Sequence, residues 1–523
     1  MDISFPFRPF VPSCLRAFVP SLLTFYRFDF PTSRSYSLSM KARSLENLGI
    51  PHTLTKLAKW LAADARTAGL DQHQVRDQLT AIVADPAAFL EDEHFAQLAQ
   101  GLAKHQTITT NSAQGFVQRE SPAPWQQWGT NLEEQAVQQM RNAAELPVAV
   151  AGALMPDAHL GYGLPIGGVL ATDNAVVPYA VGVDIACRMK MTVLDLPMHW
   201  LTSQRDRLIN AIERETRFGM GAEFGKRGDP LKSKPRDHDV LDEDWNISPI
   251  TRQNKDKARN QLGTSGSGNH FVEFGMFSVT EDQARELSLP HEGEYLALLS
   301  HSGSRGSGAQ VCDYYSKLAM QMHPQLPREL RHLAWLSLDS HEGQEYWNAM
   351  NLMGRYAAAN HACIHHHIAK NLGAKVMLDI ENHHNFAWEE EHEINGEMKK
   401  IIVHRKGATP AQLGVLGIIP GSMASPGYVV RGKGVAASLH SASHGAGRVM
   451  SRTKARESYR WPQVRDLLEK RGVPLISAGI DEVPFVYKNI EEVMAAQKDL
   501  VEVLGRFDPK LVKMAPEGEK AED

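Results

Sequence analysis

Between Gly414 and Gly447 the chain places eight of its 40 glycines. That is far above ordinary usage of about 7%. A backbone so sparsely covered presents its N–H groups to a pocket, an arrangement that cradles phosphates or a nucleotide without a P-loop. The interval runs into SASHGAGRVMSRTK, Ser441 to Lys454. Here His444 stands between Ser443 and Gly445, small neighbours that let a phosphate approach its imidazole. Arg448 and Arg452 follow four residues apart. On a helix that spacing puts both guanidinium forks on one side. Together these residues describe a site for a nucleophilic histidine and a phosphate chain. Alone, a Gly-flanked histidine is more often a turn or satisfied surface residue than a nucleophile, so the rest of the chain must decide.

With 523 residues the chain is long enough for a large catalytic domain and an accessory one. Its 42% hydrophobic and 22% charged content fits a globular protein. Net charge is −5, from 56 basic and 61 acidic residues, so any polyanion site must be a local patch. Cys14, Cys187, Cys312 and Cys363 include no CxxC pair. That argues against a disulfide scaffold and for a reducing compartment, read here as the cytoplasm.

Residues 1–39 are rich in Phe and Arg and poor in acids. They read as a start codon placed too early or a targeting leader, disordered or loosely packed. No run reaches the roughly 18 apolar residues of a membrane span. Residues 40–118 read as a helical accessory region and linker. Leu54, Leu57, Ala58 and Leu61 keep helical spacing, Asp85-Pro86 can open a further helix, and residues 107–124 are polar. Residues 119–515 read as a second, larger domain. Short apolar runs alternate there with Gly and Pro, and helices are predicted over 132–144, 309–322, 343–371 and 491–504. Without a regular βαβ rhythm this is an α+β, mixed α/β domain. The charged stretch 226–259 reads as an exposed insertion or loop, and 516–523 as a frayed tail. P-loop and GxGxxG signatures are absent.

Several motifs carry candidate chemistry. PDAHLGYG (156–163) precedes GVDIACRM (182–189), in which Asp184 and Cys187 lie three apart. A carboxylate and a thiolate across a turn suit a borderline cation such as Mn²⁺, Zn²⁺ or Fe²⁺, although a buried cysteine beside a capping aspartate has the same spelling. LGTSGSGNHFVEF (262–274) brings small residues up to Asn269 and His270, with Glu273 close by. LLSHSGSRGSG (298–308) delivers His301 at a strand end, followed by Ser302, Ser304 and Arg305. In ENHHNFAWEE (381–390) the adjacent His383 and His384 would point to opposite faces of a strand, so at most one meets a given metal. The cluster His361, His365, His366 and His367 sits on a helical pattern without an acidic or Gly-rich partner. It reads as a solvated or packing helix face.

In this order, PDAHLGYG, GVDIACRM, LGTSGSGNHFVEF, HSGSRG, HRKGAT, PGSM and SHGAGRVMSR resemble the RtcB family of RNA-splicing ligases. DEVPFVYKNIEEVMAAQ near the C-terminus fits as well. The resemblance covers roughly residues 125–514, with 1–118 outside it. It implies an RtcB-like catalytic domain and a GTP- and Mn²⁺-dependent ligase, acting in RNA repair or tRNA splicing. Such an enzyme joins RNA ending in a 2′,3′-cyclic phosphate or 3′-phosphate to RNA with a 5′-hydroxyl, and no membrane is implied. An activating partner is compatible with the family and is not named by the sequence.

By the same resemblance His444 is the nucleophile that becomes guanylylated. Two Mn²⁺ ions would be held by Asp184, Cys187, His270, His301 and His384, the last chosen because the family ligand directly precedes Asn, here Asn385. Guanylate contacts would come from Asn269, His270, Phe271, Val272, Glu273, His384, Asn385, Pro420, Gly421, Ser422, Met423, His444, Gly445, Ala446, Gly447 and Lys513. Arg305, Arg448 and Arg452 would meet RNA phosphates. Two positions depart from the family pattern. Gly427 stands where a serine is common, removing a side-chain contact, and Arg188 follows the cysteine in place of glycine, adding bulk or charge beside the metals. A specialised repair paralogue fits these departures. The residues alone also admit a metal-dependent phosphodiesterase or phosphatase on RNA ends, or a non-catalytic GTP- or RNA-binding regulator.

Overall fold

The computed structural model describes residues 42–51, 54–114, 116–225, 231 and 233–520. The expected leader and part of the 226–259 stretch lie outside them. The chain divides into two compact units at His105 and Gln106. The first is helical. Asp71 opens the helix Gln72–Ala84 with a capping box to Gln74, which satisfies N–H groups that the first turn leaves unpaired. Leu61, Val75, Leu79, Ile82, Phe95 and Leu98 are buried in its core. Pro86 starts only the short 3-10 turn Pro86–Phe89. The helix Ala96–Gln114 carries the chain through much of the stretch read as linker.

The second unit mixes helices with two large sheets. One sheet runs Leu416–Ile419, Gly427–Gly432, Val501–Met514, Phe271–Val279, Gly293–Ser302, Arg188–Leu194, Val376–His383, with Leu475–Ser477 attached to Val501–Met514. Its two edges approach each other. The Asn382 side chain accepts from Ile418 N at 2.9 Å and donates to Ile418 O at 3.4 Å, so the sheet nearly closes as a barrel. The other sheet runs Trp125–Gln127, Ala149–His159, Ile166–Thr172, Glu397–Lys406, Asn385–Ile394. Its last two strands form a hairpin through Asn395-Gly396, both at positive φ (54° and 82°). Asn-Gly is the pair that tolerates such a turn.

The 32-residue helix His341–Leu372 begins with Ser340 accepting from Gly343 N and ends at Gly373 in the left-handed region (φ 70°). His361 and His365 lie on its buried face. Their rings share the Ser300 hydroxyl at 3.0 and 2.8 Å, and His365 also meets Thr192 Oγ1 at 2.7 Å. This face is packed, not solvated.

Three further expectations change. Residues 491–504 are not one helix. The helix Ile490–Ala495 stops, and the strand Val501–Met514 begins, paired on both sides by Gly427–Gly432 and Phe271–Val279. A short helix followed by a half-buried Val- and Leu-rich strand imitates one longer period. The stretch 226–259 is not all loop, because Ser248 caps a helix Pro249–Gln261 whose Thr251, Asn254 and Ala258 are buried. Residues 516–520 are tied down as well: Glu517 accepts from Trp461 Nε1 at 2.6 Å, Glu519 from Met220 N at 3.2 Å, and Lys520 O from Ser267 Oγ at 2.7 Å.

One buried ion pair joins the second sheet to the segment before His444. Arg405 donates from Nη1 and Nη2 to both Glu390 oxygens at 2.7 and 3.0 Å. It also donates to Ser441 Oγ at 2.8 Å and Leu439 O at 2.9 Å. Burial by itself would raise the Glu390 carboxyl. The hydrogen bond with His392 and the Arg405 charge outweigh it and hold the group at about 2. A depressed carboxyl stabilises the fold above the ordinary glutamate range and loses that contribution as pH falls through its folded value. Glu390→Gln is therefore expected to cost about 3–5 kcal/mol at neutral pH, by leaving Arg405 uncompensated. The gap to wild type should narrow between about pH 4.3 and the folded value, read from urea midpoints at neutral pH and at about pH 3. Leu298 is fully buried in the strand that ends at His301. Leu298→Ala should lower the urea midpoint by an amount equivalent to about 2–5 kcal/mol.

Candidate functional site

Four chain segments deliver five side chains to one end of the near-closed sheet. Asp184 and Cys187 sit on the turn before Arg188–Leu194, closed by Cys187 N donating to Asp184 O at 3.1 Å. His270 immediately precedes Phe271–Val279, and His301 lies at the end of Gly293–Ser302. Sheet register sets Phe271 and Met189 opposite His301. His384 lies between Val376–His383 and Asn385–Ile394, with its N–H on Cys187 O at 3.0 Å. His383 turns the other way, against Phe386 and Trp388.

The resulting contacts are close. Cys187 Sγ lies 3.0 Å from His301 Nε2 and 3.4 Å from His270 Nε2. His301 Nε2 is 3.2 Å from His384 Nε2, and His270 Nε2 is 3.1 Å from Asp184 Oδ2. His301 Nδ1 meets Asn269 O at 3.1 Å, so that nitrogen carries the proton and Nε2 offers a lone pair. Burial, then the neighbouring His270, pushes His301 down to about 3. Burial and the adjacent His444 hold His384 well below the usual range. Asp184 Oδ1 accepts from Ser304 N at 3.1 Å, while the buried Oδ2 faces His270 Nε2. Imidazoles, a thiol and a carboxylate oxygen facing one another form a donor set suited to a cation. They fit a borderline divalent ion.

His444 adjoins this cluster, its ring centroid 4.9 Å from that of His384. Asp157 holds it. One carboxylate oxygen of Asp157 accepts from His444 Nδ1 at 2.7 Å, from His444 N at 3.2 Å and from Gly445 N at 3.4 Å. Burial would raise the Asp157 carboxyl, but the hydrogen bond and charge of His444 bring it below its usual value. With Nδ1 committed, Nε2 is the nitrogen left to react.

A cleft of about 230 Å³, open to solvent, surrounds these groups. Its lining includes Asp184, Cys187, His270, His301, His384 and His444, together with Asn269, Phe271, Glu273, Asn385, Pro420–Met423, Gly445–Gly447 and Arg448. Val272 and Lys513 are not brought in. Val272 faces an apolar cluster on the other side of its strand, and Lys513 reaches Glu213 at 3.2 Å. Both follow from strand alternation, since Phe271, Glu273, Val512 and Met514 take the cleft face.

The three arginines also differ from expectation. Arg305 is buried behind His270, donating to Thr264 Oγ1 at 3.0 Å, with Nη1 3.4 Å from His270 Nδ1. Arg448 is not helical: it pairs with Tyr487 in an extended segment, and the helix starts only at Arg452, capped by Ser451. Both Arg448 and Arg452 are held by Glu482. Arg188 directs its guanidinium to Glu381 at 3.2 Å and Gly354 O at 3.1 Å, so its bulk is not spent beside the donors. Gly427 lines the cleft against Pro420.

Sequence reasoning passed over Asp157, Lys406 and Glu482, although each lies in a motif it singled out. Lys406 Nζ donates to Tyr162 O at 2.5 Å, and burial lowers it to about 8. A further group, Glu390, His392 and His440, has metal-ligand spacing. Arg405 already occupies both Glu390 oxygens, and its charge opposes a cation there.

Gly447 makes the nucleophile's position possible. Its φ is 73°, and a Cβ there would lie 2.1 Å from Asp157 O. Gly447→Ala should therefore displace the His444 loop. The expected outcome is loss of His444 reactivity and a stability cost of about 1–3 kcal/mol, read by thermal melting beside chemical modification of the histidine.

A family model described as tRNA-splicing ligase RtcB matches residues 139–514. The tRNA-splicing ligase RtcB of Methanococcus maripaludis is 31% identical over 74% of this chain and 92% of its own length. The RNA-splicing ligase RtcB of Escherichia coli is 34% identical over 73% of this chain and 95% of its own. The tRNA-splicing ligase RtcB of Nanoarchaeum equitans is 32% identical over 73% and 91%. A match over most of the chain, with the histidine, thiol and carboxylate donors gathered beside His444, leads to one conclusion: this chain belongs to the RtcB family.

Proposed function

We propose that this protein is an RNA ligase of tRNA splicing or RNA repair. It uses GTP and manganese to join 2′,3′-cyclic phosphate or 3′-phosphate ends to 5′-hydroxyl ends. The observation that carries the reading is the Asp157–His444 pair, 2.7 Å apart, with His444 one ring away from the donor cluster. Asp184, Cys187, His270, His301 and His384 would hold two manganese ions. Bound there, the ions supply charge neutralisation for crowded phosphates and activation of the attacking oxygens.

The protein's own groups do the rest. Asp157 keeps the proton on His444 Nδ1 and points Nε2 into the cleft. Nε2 attacks the α-phosphorus of GTP, an N–P bond forms, and pyrophosphate leaves. The RNA 3′-phosphate, freed from any cyclic form, then takes the guanylate from His444. The 5′-hydroxyl attacks that activated phosphate, the new phosphodiester forms, and GMP leaves. Asn269, Phe271, Glu273, Asn385 and the segments Pro420–Met423 and Gly445–Gly447 would cradle the guanylate. Arg448, steadied by Glu482, would face a phosphate. A reducing cytoplasm suits this chemistry, because Cys187 must stay a thiol. Among the described residues Cys187, Cys312 and Cys363 make no disulfide, and no described helix is long and apolar enough to cross a membrane.

Incubation with α-labelled GTP and Mn²⁺ is expected to label the wild-type chain and not His444→Ala. Asp157→Asn should label at least ~10²-fold more slowly, because the ring loses the carboxylate charge that balances it as the N–P bond forms. Folded, metal-loaded wild type that takes no label would overturn the reading. Cyclic-phosphate opening that survives His444→Ala without any joining would point to a hydrolase instead.

A further inference from the structure

The loop that follows Ala149–His159 carries two large side chains, Leu160 and Tyr162, that are 47% and 62% exposed. Both line the cleft that contains His444 and the five donors. An exposed leucine alone needs no explanation. The backbone beneath these two does, because it is pinned residue by residue. Leu160 N donates to Glu133 Oε2 at 3.1 Å. Gly161 N donates to Gln139 Oε1 at 3.0 Å, and Gly161 O accepts from Gln139 Nε2 at 2.6 Å. Tyr162 O accepts from the buried Lys406. Gly163 continues at φ 71°, so close to His332 that a Cβ would lie 2.7 Å from the His332 carbonyl oxygen. A loop held this way cannot fold its side chains inward to hide them from water.

The Tyr162 ring stands perpendicular to His332, centroids 5.8 Å apart, and His332 in turn meets Tyr179 at 4.8 Å. Among the described residues no hydrogen bond reaches the Tyr162 hydroxyl. Arg328 and Arg331 are exposed on the segment that carries His332. The rim is thus rigid and aromatic, and continuous with the reacting groups.

We infer that Leu160 and Tyr162 form a stacking ledge for an unpaired nucleobase of an RNA end held in the cleft. The inference rests on the RNA-ligase reading and narrows its substrate to single-stranded termini. Every base offers a π-face, so stacking accepts any sequence, whereas a base already stacked within a duplex has no face to give. A fixed ring near a reacting phosphate holds the terminal nucleotide in place without reading its identity.

The test is steady-state joining of two unstructured oligonucleotides by the full-length, metal-loaded protein, with 2-aminopurine as one terminal base. Tyr162→Ala is expected to raise KM for RNA by about 5- to 150-fold, the range that base–aromatic stacking supplies, with a smaller change in kcat. Tyr162→Trp should restore KM, and wild type should quench the 2-aminopurine. The quench on wild type is read independently of any variant's folding. A Tyr162→Ala protein with wild-type KM, a failure of tryptophan to restore it, or an unquenched 2-aminopurine in the wild-type complex would overturn the ledge. Wild type that joins no RNA at all would overturn the ligase reading beneath it.

Discussion

A single carboxylate oxygen of Asp157 accepts the His444 ring proton and two backbone N–H groups of the same loop. Asp157 belongs to Ala149–His159 of the five-stranded sheet, whereas His270 and His301 belong to strand ends of the barrel-like sheet. His384 lies where the chain passes from one sheet to the other. The nucleophile meets the donors only when both sheets are formed and docked. Site assembly and folding of this unit are therefore one event, and a mutation far from the cleft can act through that docking.

The electrostatics favour a guest of positive charge. Two imidazoles kept from protonation by burial, a third beside them, a thiol and a buried carboxylate all turn their donor atoms toward one another, which suits a cation among them. The surrounding cations are committed elsewhere in ways that keep the pocket open. Arg188 is spent on Glu381 and a carbonyl, and Arg405 on Glu390. Arg305 contacts the far nitrogen of His270 and braces that ring from behind. Such partners orient ligand rings as much as the ligands themselves do.

Glycine has a specific task at two places here. At Gly303 a Cβ would lie 2.1 Å from Asp184 Oδ2, so only glycine lets the segment after His301 pass beside that carboxylate. At Gly447 a positive φ and the Asp157 carbonyl exclude any side chain. The Gly-rich spelling around His301 and His444 is thus a record of close backbone approach, and that is why these motifs were legible before any fold was known.

Local chemistry was readable from the chain: which histidines stand at strand ends, where the backbone must be bare, and which motifs the family shares. Asp184, Cys187, His270, His301, His384 and His444 do converge, because short motifs carry their own turn geometry. What lies far apart in sequence was not readable. Asp157 and His444 are 287 residues apart, and no local pattern announces their bond. Nor did periodicity reveal that Lys513 and Val272 face away from the cleft, that Glu482 holds Arg448 and Arg452, or that residues 501–504 open a central strand. Motif spelling determined the kinds of groups present. Pairing of distant strands decided which face each one takes, because a side chain's direction in a sheet depends on a register that only its neighbours can set.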